Sequence, residues 1–435
     1  LNKIVLFYVP LGISSLIAAL THVIVNAVLA RSEHPSFTLS SYAVAVSLCL
    51  LLETPLTAVR QMTTKFGYDR KSVHSIGILC AFVASAVLIV GWSIGLTPVG
   101  NLVFQYVFGV SPALIEPTKN VFQVLTLLYI LVAVRNIYQG LIINKHRTAW
   151  MTFSSSIRIV VMLIASWFLI RAGWTNDGRI GAAIFIAGIL IELVVTFLEG
   201  RVLKRKLPTD NGEQTIQHAK HLLPFYLPLL YSALVLVILN PSIQAALNNT
   251  SDPLLAVASF SVALQILNLF VWFCSSLHQI VIQFYTSKRR EVLIFLSFLS
   301  ILSPLLLLLL SFGFAGDPVL RNVLGLNGEL LLETRGLLRI LAVYVAFYPW
   351  VEYFIGRSIL IGNTKPIFIG RLFSVGFAIL ALILCICFFP GLDGKVAGIV
   401  MAVSSPIELS IYLLLYRKIS MNTMQNIYVH HEESS

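Results

Sequence analysis

The sequence predicts an all-α integral membrane protein of twelve transmembrane helices, arranged as two parallel-repeat six-helix bundles. Three observations carry this reading. The composition is too apolar for water, twelve apolar runs reach spanning length, and the two halves of the chain repeat each other. Of the 435 residues, 57% are hydrophobic and only 11% are charged; soluble domains carry about 25% charged residues. A bilayer is the solvent that suits such a chain. The formal net charge of +11 does not point to nucleic acid, because the basic residues sit in short loops between apolar runs.

Spanning the hydrocarbon takes about 20 apolar residues. Runs of that kind lie at 4–30, 38–58, 73–96, 121–144, 154–173, 180–199, 222–247, 255–286, 292–315, 336–361, 367–389 and 396–415. The first run exceeds the roughly 7–15 apolar residues of a signal-peptide core, so it is expected to be retained. The longest polar stretch between spans holds Pro208-Thr209-Asp210-Asn211-Gly212. The predicted organisation is therefore a bundle over 1–200, a cytoplasmic linker over 201–221, a second bundle over 222–418 and a polar tail over 419–435. With the N-terminus inside, cytoplasmic segments hold 18 Lys and Arg, including Arg60 and the pair Arg417-Lys418, against 7 outside. That bias places both termini in the cytoplasm.

The repeat is read by shifting the chain. At an offset of 218, Phe7-Tyr8-Val9-Pro10-Leu11 meets Phe225-Tyr226-Leu227-Pro228-Leu229, and 15 of 65 pairs from Phe7 to Lys71 are identical. At 216, Asp177-Gly178-Arg179 meets Asp393-Gly394-Lys395, and Ile191-Glu192-Leu193 meets Ile407-Glu408-Leu409. Six spans per copy give both copies the same orientation, hence parallel repeats suited to alternating access.

Ionisable groups inside spans cost at least about 2.5 kcal/mol each, so each needs a reason. Arg135, Arg158, Arg339, Arg357 and Arg371 lie there, with Glu53, Glu192, Glu352, Glu408, His22 and His278. Arg158 and Arg371 fall at the starts of their predicted spans. Two readings stand for these charges: structural ion pairs and snorkelling, or a polar cavity open to the cytoplasm. Arginine holds carboxylate or phosphate in a bidentate fork and keeps its proton. Candidate substrate-binding residues are Arg135, Asn136, Gln139, Arg158, Arg357 and Arg371, for a small and preferably anionic solute. Candidate ion-coupling residues are Glu53, Glu352, and His22 with Asn26 one turn on. Pro10 and Pro228 match across the repeat and permit kinks.

Other motifs carry no chemistry. Gly91-Trp92-Ser93-Ile94-Gly95 matches a nucleophile elbow but lies in an apolar helix without the strand that motif needs. No phosphate loop or zinc motif occurs. The five cysteines, Cys49, Cys80, Cys274, Cys385 and Cys387, all sit in apolar runs as small hydrophobes. His430 and His431 lie in the tail and no role is expected of them. No enzyme, cofactor or metal is expected.

Two six-span halves with a basic linker resemble the multidrug/oligosaccharidyl-lipid/polysaccharide (MOP) exporter superfamily, which includes the multidrug and toxic compound extrusion (MATE) transporters. Within it, Pro10-Leu11-Gly12-Ile13, Ser41-Tyr42-Ala43-Val44-Ala45-Val46-Ser47-Leu48 and Gly140-Leu141-Ile142-Ile143-Asn144-Lys145-His146 resemble the progressive ankylosis protein family. That resemblance implies export of anions such as pyrophosphate, nucleotides or citrate. Drug-exporting relatives carry an acidic residue in the first helix; here Leu1 to Arg31 holds no Asp or Glu, which puts coupling through that helix in doubt. The expectation is a monomeric secondary exporter in a bacterial inner membrane, its partners the bilayer and a small molecule, with a proton or sodium gradient as driving force. Alternatives are a lipid-linked oligosaccharide flippase or a cationic-drug antiporter.

Overall fold

A computed structural model of the chain describes residues 1–212 and 215–432, with the side chains of Val323, Pro390 and 417–432 left aside. The expectations for Arg417, Lys418, His430 and His431 therefore lie outside the described residues. The described chain is helical throughout. In order come α1 (Asn2–Leu29), α2 (Pro35–Phe66), α3 (Arg70–Leu96), α4 (Val99–Leu102), α5 (Pro112–Leu125), α6 (Leu128–Asn144), α7 (Ala149–Arg171) and α8 (Gly178–Arg205). They are followed by α9 (Leu223–Leu247), α10 (Pro253–Cys274), α11 (Leu277–Ser311), α12 (Gly313–Asp317), α13 (Gly328–Ile361), α14 (Lys365–Phe388) and α15 (Gly394–Glu432).

Local chemistry sets the helix starts. Asp69 caps α3 by accepting the Ser72 backbone N–H at 2.8 Å and its hydroxyl at 2.8 Å. Asp177 caps α8 and Asp252 caps α10 in the same way. Pro35, Pro112 and Pro253 open their helices, where a missing N–H leaves no bond unmade.

Among the described residues, ten stretches are long and apolar enough to cross a membrane. Two facts bring this to twelve passes. Pro253–Ser311 counts once, yet it leaves helical geometry at Lys288 (φ −140°, ψ 44°), so it makes two passes. Helix α13 stands outside the ten, but its 34 residues extend about 50 Å, long enough to cross. Several helices outrun their apolar cores. α2 continues to Phe66 and α7 begins at Ala149, so Arg60 is helical rather than in a loop. Arg158 lies well inside α7 rather than at its start. Sequence reading also missed α4 and α12, each followed by a π-helical turn, Val103–Val107 and Pro318–Val323. These two closures repeat at the 216 offset. Val110 N–H donates to the Phe104 carbonyl and Leu326 N–H to the Leu320 carbonyl, both at 2.9 Å. Gly109 and Gly325 supply the positive φ, 64° and 70°, that turns the chain.

The chain divides into two compact units, Asn2–Leu230 and Tyr231–Ser435 with Leu1. In the first, α6 packs on α2 and α8, and α7 on α1 and α8. In the second, α13 packs on α11 and α15, and α14 on α15. The core of the second unit runs through Phe260, Ala263 and Leu267 on α10, Leu337 and Leu341 on α13, and Val396 and Val400 on α15. One glycine crossing recurs in both units at the 216 offset. A Cβ at Gly140 would lie 2.5 Å from Thr63 Cβ and 2.8 Å from the Arg60 carbonyl. At Gly356 it would lie 2.6 Å from Val281 Cβ and 2.8 Å from the His278 carbonyl. Gly140→Ala and Gly356→Ala are each expected to destabilise by about 1–3 kcal/mol through overpacking. Gly77→Ala, with nothing within 4 Å of the new methyl, should be neutral or slightly stabilising. Thermal melting in detergent measures all three; equal melting temperatures for Gly140→Ala and Gly77→Ala would exclude a tight crossing.

Outside the spans, Asp210 accepts from Lys71 Nζ at 2.6 Å, from the Thr215 hydroxyl and from the Gly212 N–H. These bonds, Lys71 first, hold its carboxyl down at about 2 and fix the linker beside the start of α3.

Candidate functional site

The first unit gathers five charges from four helices: Glu53 and Arg60 on α2, Arg135 on α6, Arg158 on α7 and Glu192 on α8. Glu53 and Arg60 are seven residues apart, two turns, and so share a face. Glu192 is the hub. Its Oε2 accepts from Arg158 Nη1 at 2.6 Å and Arg135 Nη1 at 3.2 Å, and its Oε1 from Gln139 Nε2 at 3.1 Å. Glu192 and Arg158 are each 4% exposed. Arg135 Nη2 also lies 3.8 Å from Glu53 Oε1. Arg60 stands within electrostatic reach of Glu53, Arg135 and Glu192, yet joins none of the ion pairs among the described residues.

Three guanidinium groups thus face two carboxylates, leaving one net positive charge in a buried setting. Several of their donors have no acceptor: Nε of Arg60, Arg135 and Arg158, and Nη2 of Arg158. Buried donors of this kind are costly unless an anion meets them. Donors of this kind are the ones that carboxylate and phosphate oxygens satisfy.

Other expected residues of this unit take different positions. Asn136 donates to the Leu56 carbonyl at 2.8 Å, and Asn144 to the Thr64 carbonyl at 2.9 Å, so these amides tie α6 to α2. His22 is half-buried with its ring 5.2 Å from that of Phe185. Asn26 is exposed, and the described side chains of the two make no bond to each other.

The second unit holds two smaller arrangements. On α15, Glu408, the repeat partner of Glu192, accepts from Arg371 Nε at 2.7 Å and from the Tyr412 hydroxyl at 2.8 Å. The repeated glutamate is clamped by an arginine of the preceding helix in both units. On α13, Glu352 Oε2 lies 2.6 Å from His278 Nδ1, and the other ring nitrogen is 2.9 Å from Gln279 Nε2. His278 and Glu352 are both buried. Arg357 has no carboxylate partner among the described residues. It donates to the hydroxyls of Tyr285 at 2.8 Å and Tyr353 at 3.0 Å and lies over the rings of Tyr285 and Tyr416. Arg339, the remaining intramembrane arginine, lies over the Phe312 ring.

Sequence reasoning missed Arg60 and the partnership of His278 with Glu352. One signal held both: at the 218 offset Arg60 aligns with His278 and Gln61 with Gln279. The structure gives these positions the same place, since the carbonyls of Arg60 and His278 press on Gly140 and Gly356 alike.

Comparison with known proteins agrees with this architecture. Residues 2–174 match the family model of the progressive ankylosis protein. A sequence comparison with curated proteins gives no match. Among solved structures, the chain is similar to a MOP superfamily transporter from Pyrococcus furiosus (TM-score 0.73, 15% identity, 96% of each chain covered), whose description reads "Reverse polarity of binding pocket suggests different function". It is similar also to the eukaryotic MATE transporter AtDTX14 (TM-score 0.74, 14% identity, 95% of each chain). The Vibrio cholerae MATE transporter VcmN in its bent form aligns at TM-score 0.70 and 13% identity, over 96% of this chain and 97% of that one. The protein is a multi-pass membrane protein with the fold of the MATE transporters, and its residues 2–174 match the progressive ankylosis family model.

Proposed function

We propose that the chain is a secondary active transporter that moves a small organic anion out of the cytoplasm by alternating access. The observation that carries the reading is the charge balance of the first unit. Arg60 adds a third guanidinium to a cluster whose two carboxylates already engage Arg135 and Arg158, and four donors there lack acceptors. A cation exporter needs the opposite sign. The Pyrococcus relative, whose description speaks of reversed pocket polarity, supports the idea that this fold accepts such a change. Arg60, Arg135 and Arg158 bind the anion, with Gln139 positioning Glu192; Arg357 and Arg371 serve the second unit.

The coupling ion in this reading is a proton, carried by His278 and Glu352. An imidazole can donate or accept a proton at either nitrogen, and both nitrogens of His278 are hydrogen-bonded. The protein acts as a monomer in the plasma membrane, both termini cytoplasmic, with no cofactor beyond the gradient.

The test is transport in proteoliposomes with labelled citrate, nucleotides and cationic dyes, with and without an imposed proton gradient. The expected result is gradient-dependent movement of at least one anion and none of the dyes. Dye transport without anion transport would reject the reading.

A further inference from the structure

A groove of about 280 Å³ opens at the end of α8, lined by Arg70, Tyr138, Phe197, Arg201, Lys204 and Arg205. Four cations surround it and no acidic side chain does. Basic residues close by have partners: Lys71 bonds Asp210, and Arg147 bonds Glu199. The four around the groove enter no ion pair among the described residues. Arg70 is held in place, since its guanidinium donates to the Arg205 carbonyl. Like charges crowded around one space repel each other, and an anion between them relieves the repulsion.

The aromatic wall is built by a glycine. A Cβ at Gly200 would come 2.4 Å from the Tyr138 ring, so only glycine lets that ring lie against α8. There Tyr138 meets Phe197 edge-on, ring centres 5.0 Å apart, and Arg201 stands over Phe197. The repeat offers an internal comparison. At the 216 offset Tyr416 replaces Gly200 and Phe354 replaces Tyr138. Those rings pack together, centres 5.2 Å apart, so the second copy has an aromatic side chain where the first has a glycine. Positive loops are general in membrane proteins, but a glycine-made recess in one copy of a duplicated fold is particular to this place.

We propose that this groove is a binding site for a phosphate-bearing anion, gripped by Arg70, Arg201, Lys204 and Arg205, with the ester side against Tyr138 and Phe197. Guanidinium forks suit phosphate oxygens. An anionic lipid headgroup and a soluble phosphate share this chemistry. Its lining shares no residue with the buried arginine cluster, and the proposal does not depend on which solute the protein transports.

The experiment uses the full chain in nanodiscs of phosphatidylcholine. One arm adds increasing phosphatidylglycerol; the other adds inorganic phosphate at constant ionic strength. Melting temperature reports binding in both. R201Q/K204Q is compared with K3Q/K365Q, which removes two exposed charges from elsewhere on the chain. The wild type is expected to be stabilised in at least one arm. R201Q/K204Q should weaken that affinity about tenfold or more, and K3Q/K365Q less than twofold. Should R201Q/K204Q fail to fold, Arg201→Gln alone carries the same expectation at about threefold. Response to the lipid only, or to phosphate only, supports the site and names the source. No stabilisation in either arm, or equal weakening by both double variants, would overturn it.

Discussion

Arg60→Gln is expected to weaken anion transport severely while leaving the fold intact, and Glu192→Ala is expected to destroy the fold itself. The difference follows from who is paired with whom. Glu192 holds Arg158 at 2.6 Å and Arg135 at 3.2 Å. Removing it strands two buried guanidinium groups, with only Glu53 3.8 Å from Arg135 as remaining compensation. Breaking a buried ion pair from one side costs about 3–5 kcal/mol, enough to empty the folded population of a marginal protein. Arg60 has no such partner to strand. Its replacement by glutamine removes the net charge and keeps a hydrogen-bonding group. A charge-assisted bond to a bound anion is worth about 1.5–3 kcal/mol, so the half-saturating anion concentration should rise about 10- to 100-fold. Size-exclusion behaviour and melting in detergent read the first effect, and proteoliposome kinetics the second. Adding Arg158→Met to Glu192→Ala should recover part of the lost stability, because one stranded charge is gone. Unchanged anion kinetics in Arg60→Gln would sink the assignment of the cluster to substrate.

The contrast between these two residues also marks what the sequence could and could not reveal. Hydrophobic runs locate the passes because bilayer insertion selects on apolar length, and α1, α9 and α14 start and stop within a few residues of their runs. The same signal fails where a helix leaves the hydrocarbon without ending. Arg60 sits on such an overhang of α2, where polar residues look like a loop. The short helices α4 and α12 fail for a related reason: they are too brief to show a period, although their repetition at one offset was present in the letters. Glu192 and Glu408 were visible as a repeated pair, and their shared role as arginine clamps is consistent with one inherited arrangement. Which arginine serves each one was not visible. In the first unit it comes from position 158; in the second it comes from 371, which aligns with Ser155 one turn away. Helix spacing leaves either turn able to reach the carboxylate, so only packing decides.

Glu352→Gln is expected to uncouple transport from the proton gradient, and His278→Ala to do the same. The carboxylate accepts from the imidazole at Nδ1, 2.6 Å away, while the far ring nitrogen meets the Gln279 amide nitrogen. In that arrangement the amide donates, the ring is neutral, and Gln279 Oε1 is left buried without a partner. Adding a proton at Nε2 turns that nitrogen into a donor. A half-turn of the Gln279 amide then presents Oε1 to it, and the orphaned oxygen is satisfied. Protonation thus exchanges one hydrogen bond at Nε2 for another of opposite direction, as a coupling site requires. Cys274 on α10 and Tyr348 on α13 stand within electrostatic reach of Glu352, and neither supplies positive charge. Glu352→Gln removes the carboxylate that the imidazole bonds, and the anion should cross at a rate that no longer responds to pH on either side. Anion exchange without a gradient should survive in the variant, since the binding cluster lies in the other unit. Gln279→Leu removes the amide and should narrow the pH range of coupling without abolishing transport. If Glu352→Gln proteoliposomes keep the full response to an imposed gradient, the proton travels by another route, and the His278–Glu352 bond serves only to fasten α11 to α13.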